Sequence, residues 1–441
     1  MFYIIEKDSS LNALEKLIRL GCYVDVISSN NNYHPKLTST IAVYIKLIHS
    51  GKGYIIPINH SEGINVDKER VYTLLKATEK LYTLNKKELL YHFNLQDAID
   101  LSLVYAMNKY DKLEYNRANK VINPFYSRYK DIPNINQIIP ITKLYESSEN
   151  IFDSVKEVID YEIPNGFDFY NSTATNVFFL LEQSGVGIIY DAFNKVFKPK
   201  EPLYNTLNNK ALTQYNLYNS TSRPTNSFNS VNFAAIPHTE EHRKCFKPTN
   251  DYFVEFDFDG YHLRLLAEQI EYELTSDSAH KQLARLYFNK KEITDDEYKE
   301  AKQINFHAIY GKIPDKYSFL EIFTRIDDYI KKLWKRYEDD GKILAPISGK
   351  PFTTSLKNMN PQKLMNYVMQ SLETSRNIVI IKELLKYLKD KKTTISLYTY
   401  DSIIMDFSKE DGKDTLENIK NIMEDGGKYP VSFKYSNDLS L

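Results

Sequence analysis

Two carboxylate-bearing segments constrain this chain more than any other feature. Tyr252–Phe258 alternates in character and reads as a strand that ends on acids, Asp257-Phe-Asp259. Ser396–Phe407 reads as two strands meeting at Tyr400-Asp401. The two acids lie 401 − 257 = 144 positions apart. They can act together only if a sheet pairs their strands. Between them runs Lys302-Gln-Ile-Asn-Phe306-His-Ala-Ile-Tyr310-Gly311, in a segment predicted to be helical over Asp295–Tyr310. Its Lys, Phe and Tyr recur every four residues, which puts all three on one helix face.

The rest of the chain supplies a large globular frame. Its 441 residues allow roughly two to four structural units. A hydrophobic share of 42%, with Tyr 35 and Phe 23, gives enough burial to exclude disorder as the main state. Cys22 and Cys245 are too far apart in sequence for a disulfide scaffold or a cysteine-ligated zinc site. No apolar run reaches the ~18 residues of a membrane span, and Met1-Phe-Tyr-Ile-Ile-Glu6 is too short for a signal peptide. A reducing cytosol and no membrane partner are therefore expected. With 57 Lys+Arg against 58 Asp+Glu, a uniformly basic DNA wrapper is excluded, but local basic faces are not.

At the start, strands are predicted at Phe2–Ile5, Tyr23–Ile27 and Gly53–Pro57, with an amphipathic helix at Leu11–Leu20. Val71–Met107 reads as helix broken near Asn85 and Asn94, and Asn116–Pro140 as a long loop. Further helices are predicted at Ser147–Tyr161, Thr173–Gln183, His262–Glu273, His280–Asn289, Pro361–Leu388 and Lys413–Met423. Ala345–Thr354 reads as a hairpin and Pro430–Tyr435 as a closing strand.

Three segments in this order resemble motifs A, B and C of the family A DNA polymerases, the bacterial DNA polymerase I and phage replicase group. They are Asp257-Phe-Asp-Gly-Tyr-His-Leu-Arg264, the Lys302 to Gly311 helix, and Tyr398-Thr-Tyr-Asp401-Ser-Ile-Ile-Met405. Ser222-Arg223-Pro-Thr, then Asn232 and Ala235-Ile236-Pro237, is similar to the family's TGR…N…NIP stretch. Ser348-Gly349-Lys350 resembles its glycine-basic hairpin, and Asn366-Tyr-Val-Met-Gln370 its N-x-x-x-Q helix.

The resemblance implies a right-hand polymerase, α+β and α/β, that adds dNTPs to a primer 3′-hydroxyl on a DNA template. Asp257 and Asp401 would be the catalytic pair holding two Mg²⁺ ions, with Mn²⁺ as a substitute. Lys302, Phe306, Tyr310, His262 and Tyr298 would line the dNTP site. Arg223, Asn232, Asn366 and Gln370 would contact the primer–template. Departures from the family pattern are also plain. His262 stands for a glutamate that blocks the ribose 2′-hydroxyl, and Tyr298 for an arginine, whose contact Lys299 could take over. Ser402 stands for the motif C glutamate, and Gln362 for another arginine.

The first ~155 residues resemble, more weakly, an RNase H-like 3′–5′ exonuclease domain. Gly53-Tyr-Ile-Ile-Pro-Ile-Asn-His60, Asn85-Lys86-Lys87, Ile99-Asp100-Leu-Ser and Tyr145-x-x-x-Glu149 match its motifs. The acidic D-x-E motif expected near Tyr23–Ser29 is missing, Asp25 being the acid there. That implies a relic without proofreading activity. Leu180-Leu-Glu-Gln-Ser-Gly185-Val186 resembles the entrance to the thumb, and only 223 − 186 = 37 positions separate Val186 from Arg223. A stunted thumb is expected, with Lys195, Lys198 and Lys200 either residual phosphate contacts or simply solubilising charges, and a processivity or exonuclease partner protein supplying grip. The implied division is 1–155 exonuclease-like, 156–222 palm entry and thumb, 223–266 palm, 267–340 fingers and 341–441 palm.

Two other readings stay open. A single-subunit RNA polymerase would also suit Tyr400-Asp401-Ser402, although such enzymes usually carry methionine where Phe306 stands. A non-catalytic nucleic-acid-binding subunit with a polymerase fold would be expected to have lost Asp257, Asp401 or Lys302, and all three are present. The compactness suggests a phage-like protein working in a bacterial host cytoplasm.

Overall fold

The computed structural model describes residues 2–117, 119–129, 131–197, 206–226, 231–237, 239–275 and 278–441. Its chain forms two compact units, one made mostly of residues up to Phe179 and the other mostly of residues from Leu180 onward. Among the described residues no helix is long and apolar enough to cross a membrane.

The first unit is built on a six-stranded sheet. From one edge to the other, its strands are Phe2–Ile4, Gly53–Pro57, Thr40–Leu47, Cys22–Ser28, Leu81–Thr83 and Ala98–Asp100. The three strands from Cys22 to Pro57 pair antiparallel, and the next two lie parallel to Cys22–Ser28 and to each other. The sheet is thus mixed, parallel on one side of Cys22–Ser28 and antiparallel on the other. One face, with Cys22, Val24, Val26, Val43 and Ile45, packs on Leu11, Leu14, Val71, Leu74 and Leu89 of three helices. On the other face, Tyr23 packs against Phe152 of the helix Ile141–Val155 at 5.1 Å between ring centroids.

Three strands in this sheet were not among those expected. Thr40–Leu47 is buried along its whole length, so it reads as a near-continuous apolar run without the alternation of a half-buried strand. Leu81–Thr83 and Ala98–Asp100 have three residues each, too few to show a period, and they interrupt the stretch predicted as helix.

The second unit centres on an antiparallel four-stranded sheet, in the order Thr394–Thr399, Ser402–Phe407, Tyr252–Phe258, Val431–Ser436. The helix Pro361–Tyr387 has 27 residues, about 40 Å of length. It starts where expected because the Asn360 side chain accepts from Lys363 N–H and Pro361 occupies its first turn. The helix Asp295–Tyr310 is fixed by a capping box between Thr294 and Glu297. An additional helix, Glu321–Asp340, buries Ile322, Ile326, Ile330, Leu333 and Tyr337. That helical spacing is plain in the sequence, although the helix was not predicted.

Candidate active site

The two acids do meet. Tyr252–Phe258 pairs antiparallel with Ser402–Phe407, with Asp257 opposite Ser402. Asp401 sits in the two-residue turn before that strand, so both carboxylates border one cavity of about 390 Å³. Burial, then the Asp401 and Glu255 charges, push the Asp257 carboxyl up to about 6, against the pull of Lys434 and Lys302. Asp401 is also raised, first by burial and then by Glu373. Two crowded anions are favourable only if a cation joins them. Hard carboxylate oxygens suit Mg²⁺, which keeps water and phosphate oxygens among its ligands. Among the described residues no group of three or more His, Cys, Asp or Glu side chains is placed to hold a metal ion.

The turn carrying Asp401 is held from several sides. Tyr400 has φ of 61°, a costly conformation for a bulky residue. Asn377 Nδ2 donates to the Tyr400 carbonyl at 2.7 Å, and the Arg223 guanidinium stacks 3.9 Å from the Tyr400 ring centroid. After Asp257 the chain turns through Gly260, with φ of 59°, into the helix Tyr261–Gln269. A Cβ at Gly260 would stand 3.2 Å from Ala279 Cβ, and the adopted φ also favours glycine.

The expected helix face is present. Lys302, Phe306 and Tyr310 are all exposed on Asp295–Tyr310 while Ala301, Ile304, Asn305, Ala308 and Ile309 are buried. Phe306 and Tyr310 stack 5.8 Å apart, and Lys302 Nζ is 6.0 Å from the Phe306 ring. Tyr298 packs edge-on against His280 at 6.1 Å, and Lys299 pairs with Asp296 at 3.4 Å. Beneath this face, Asn305 links His280 at 2.8 Å to the Tyr287 hydroxyl, fastening Ala279–Phe288 to the helix.

The long helix Pro361–Tyr387 presents a polar stripe to the same region. Asn366 donates to the Tyr310 carbonyl at 3.4 Å, and Gln362 donates to the Ile309 carbonyl. Glu373 Oε2 lies 3.1 Å from Arg223 Nη2, and Oε1 lies 3.0 Å from His262 Nε2. His262 Nδ1 in turn meets the Tyr310 hydroxyl. Gln370 lies half-buried between Asn366 and Glu373 on this stripe, whereas Asn232 is exposed beside Phe233 at the cavity rim. Lys350 is fully buried, its amine lowered to about 7 by burial. It donates to Ser222 Oγ at 2.6 Å and to the Asn219 carbonyl at 3.1 Å, anchoring the loop before Arg223.

No protein-family model matches the chain and no curated protein matches it. Among solved structures, it is similar to the POL domain of Pol1 from M. smegmatis in complex with DNA primer-template and dNTP. The TM-score is 0.68 at 13% identity, over 100% of this chain and 99% of that one. The fold is that of a polymerase domain.

Three contributors were not singled out from the sequence. Glu373 and Asn377 continue the Asn366, Gln370 stripe at helical spacing, a periodic signal that extends two turns past the recognised motif. Glu255 is two residues before Asp257 and so lies on the same strand face. It accepts from Ser402 Oγ at 3.2 Å and pairs with Lys434 at 3.0 Å. Alternation along the strand was the only clue to it.

In the first unit, Asp25, Asp100 and Glu149 have internal partners. Arg117 bridges Asp25 at 2.9 Å and Glu88 at 2.8 Å, and Ser148 Oγ donates to Asp25 at 3.0 Å. Glu149 accepts from the Tyr44 hydroxyl at 2.5 Å, from the Tyr145 hydroxyl at 2.8 Å, and from Lys46. Asp100 caps the helix Leu101–Lys109 and accepts from Lys86 N–H at 3.0 Å. It is Glu88, not Asp100, that shares a cation with Asp25. Between Val186 and Arg223 the described residues form one eight-residue helix, Tyr190–Phe197, and short strands; Lys195 is in that helix. Lys198 and Lys200 lie outside the described residues.

Proposed function

We propose that the protein is a template-directed DNA polymerase that extends a primer 3′-hydroxyl with dNTPs. The observation that carries this reading is the meeting of Asp257 and Asp401 on paired strands, with Lys302 near enough to Asp257 to act on its charge. The likeness to a polymerase domain captured with primer-template and dNTP supports it.

Asp257 and Asp401 would hold two Mg²⁺ ions, which when bound supply the charge neutralisation that phosphoryl transfer requires. Lys302, a point charge on an exposed helix face, attracts the triphosphate. Phe306 and Tyr310 offer a flat apolar surface for the nucleotide, and His262 lies against Tyr310 at its inner edge. Arg223, Asn232, Asn366 and Gln370 would face the primer–template, whose minor-groove acceptors suit amide and guanidinium donors without specifying a sequence. A palm made by the four-stranded sheet and fingers made by the helices around Asp295–Tyr310 fit this division of labour. The short span from Val186 to Arg223 supports a reduced thumb, and with it a partner that supplies processivity.

The first unit serves as scaffold rather than as a proofreading nuclease. Two-metal hydrolysis needs free carboxylates. Asp25 and Glu88 instead share Arg117, and Glu149 is held by Lys46 and two tyrosines.

The test is extension of a primed DNA template with Mg²⁺, comparing dNTPs with rNTPs and the wild type with Asp401→Ala. Extension with dNTPs that disappears in the variant is expected, with no shortening of the primer when dNTPs are left out. Folded wild-type protein in excess that extends nothing would refute the polymerase reading. Efficient use of rNTPs would favour the RNA polymerase alternative.

A further inference from the structure

Two residues beyond Asp257, the carboxylate of Asp259 is engaged by a helix that starts 20 positions later. Its Oδ2 accepts from the Ala279 N–H at 2.9 Å and from Arg264 Nη2 at 3.1 Å. Ala279 is the first residue of the helix Ala279–Phe288, so a side chain from the turn after the Asp257 strand caps that helix. Arg264 tightens the same junction. It donates from Nε to the Asp259 carbonyl at 2.9 Å and from Nη1 to the Thr275 carbonyl at 3.0 Å. The turn itself is held to the closing strand, because Asp259 N–H donates to the Pro430 carbonyl at 2.9 Å.

The tether continues to the exposed helix face. His280, the residue after Ala279, meets Asn305 Nδ2 through its Nδ1 at 2.8 Å, and its ring lies 6.4 Å from that of Phe306. Asn305 is fully buried and belongs to the helix that carries Lys302, Phe306 and Tyr310. Hydrogen bonds at two adjacent residues, Ala279 and His280, thus link the Asp257 turn to that face. Apolar packing is non-directional, whereas a charge-assisted hydrogen bond to the first N–H of a helix fixes where that helix end lies.

We propose that Asp259 is a positioning residue: it sets the distance between the Asp257 carboxylate and the Lys302, Phe306 and Tyr310 face, and through that distance the rate of dNTP addition. The inference rests on the polymerase reading given above. It gives the two acids of the Asp257-Phe-Asp259 segment separate tasks, one at the ions and one at the helix that backs the nucleotide face.

The experiment measures kcat and KM for one dNTP on a primed template, and Mn²⁺ binding by calorimetry, for the wild type, Asp259→Ala, Asp259→Asn and Asp259→Glu. A misplacement of about 1 Å costs up to about 100-fold in rate, so Asp259→Ala should lower kcat/KM by about tenfold or more while Mn²⁺ affinity is unchanged. Asp259→Asn keeps an acceptor for the Ala279 N–H and should restore most of the loss. Asp259→Glu keeps the charge but lengthens the tether by one methylene, and should again slow addition. Lys302→Ala should cost less in the Asp259→Ala background than in the wild type, because the lysine is then already out of place. Wild-type kinetics in Asp259→Ala or Asp259→Glu, or additive losses with Lys302→Ala, overturn the proposal. So does a matching fall in Mn²⁺ affinity, or an Asp259→Asn as slow as Asp259→Ala, since either makes the negative charge itself the cause. Should Asp259→Ala not fold, Asp259→Glu and Asp259→Asn decide the matter by the same outcomes. Failure of the wild type to extend removes the polymerase reading and this inference together. Extension by the wild type with unaltered kinetics in the variants removes only the inference.

Discussion

Divalent-ion binding at the Asp257–Asp401 pair should weaken as the pH falls through 6. The Asp257 carboxyl, pushed up to about 6, holds its proton more tightly in the folded protein than in the unfolded chain. Its contribution therefore favours folding at low pH and becomes a penalty as the pH rises through about 6, a penalty that a bound cation relieves. About nine in ten Asp257 side chains are ionised at pH 7 and about one in ten at pH 5. If only the ionised form binds, the apparent Kd rises by about tenfold between those values. Asp257 is only partly buried, and screening from its solvent-exposed side reduces the change toward several-fold. Isothermal titration of Mn²⁺ into the full chain at pH 5, 6 and 7, at constant ionic strength, reads this directly. Asp401→Asn should weaken binding and move the pH midpoint below 6, because one of the charges raising Asp257 is gone. An affinity independent of pH, or an unchanged Kd in Asp257→Asn, would refute the reasoning.

Three further outcomes follow from named contacts. Arg117→Ala leaves Asp25 and Glu88 buried without their shared cation, which should cost about 3–5 kcal/mol in the first unit. Calorimetry should show a larger loss at pH 8 than at pH 5, because burial raises the Glu88 carboxyl and its protonation relieves the repulsion. Arg223→Lys should destabilise the second unit and slow extension, since an ammonium cannot both stack on Tyr400 and reach Glu373; wild-type melting and rate would contradict this. Glu255→Gln should raise the Mg²⁺ concentration needed for half-maximal extension by several-fold, Glu255 being the carboxylate beside Ser402. An unchanged Mg²⁺ titration would show that its charge plays no part at the ions.

Much of the candidate site was legible because it depends on local periodicity. The four-residue recurrence of Lys302, Phe306 and Tyr310 placed them on one face, and the helix boundaries Asp295 and Tyr310 agree with the structure. Asp257 and Asp401 were readable as acids at strand ends. The strand Thr40–Leu47 was hidden because burial on both faces erased its alternation, and Leu81–Thr83 because three residues show no period. Glu373 carried a faint signal, the continued stripe of Asn366 and Gln370, but nothing in the chain says what such a stripe will face.

The sequence by itself determined which residues could share a helix face or a strand end, because neighbours within a few positions are related by fixed backbone geometry. Only the tertiary structure decided which carboxylates remain open and which are claimed. Asp25 and Glu88 meet Arg117, 92 and 29 positions away, while Glu373 meets Arg223 across 150 positions and His262 across 373 − 262 = 111. A charge buried away from water must find its partner wherever packing brings one. That choice is made by the fold as a whole.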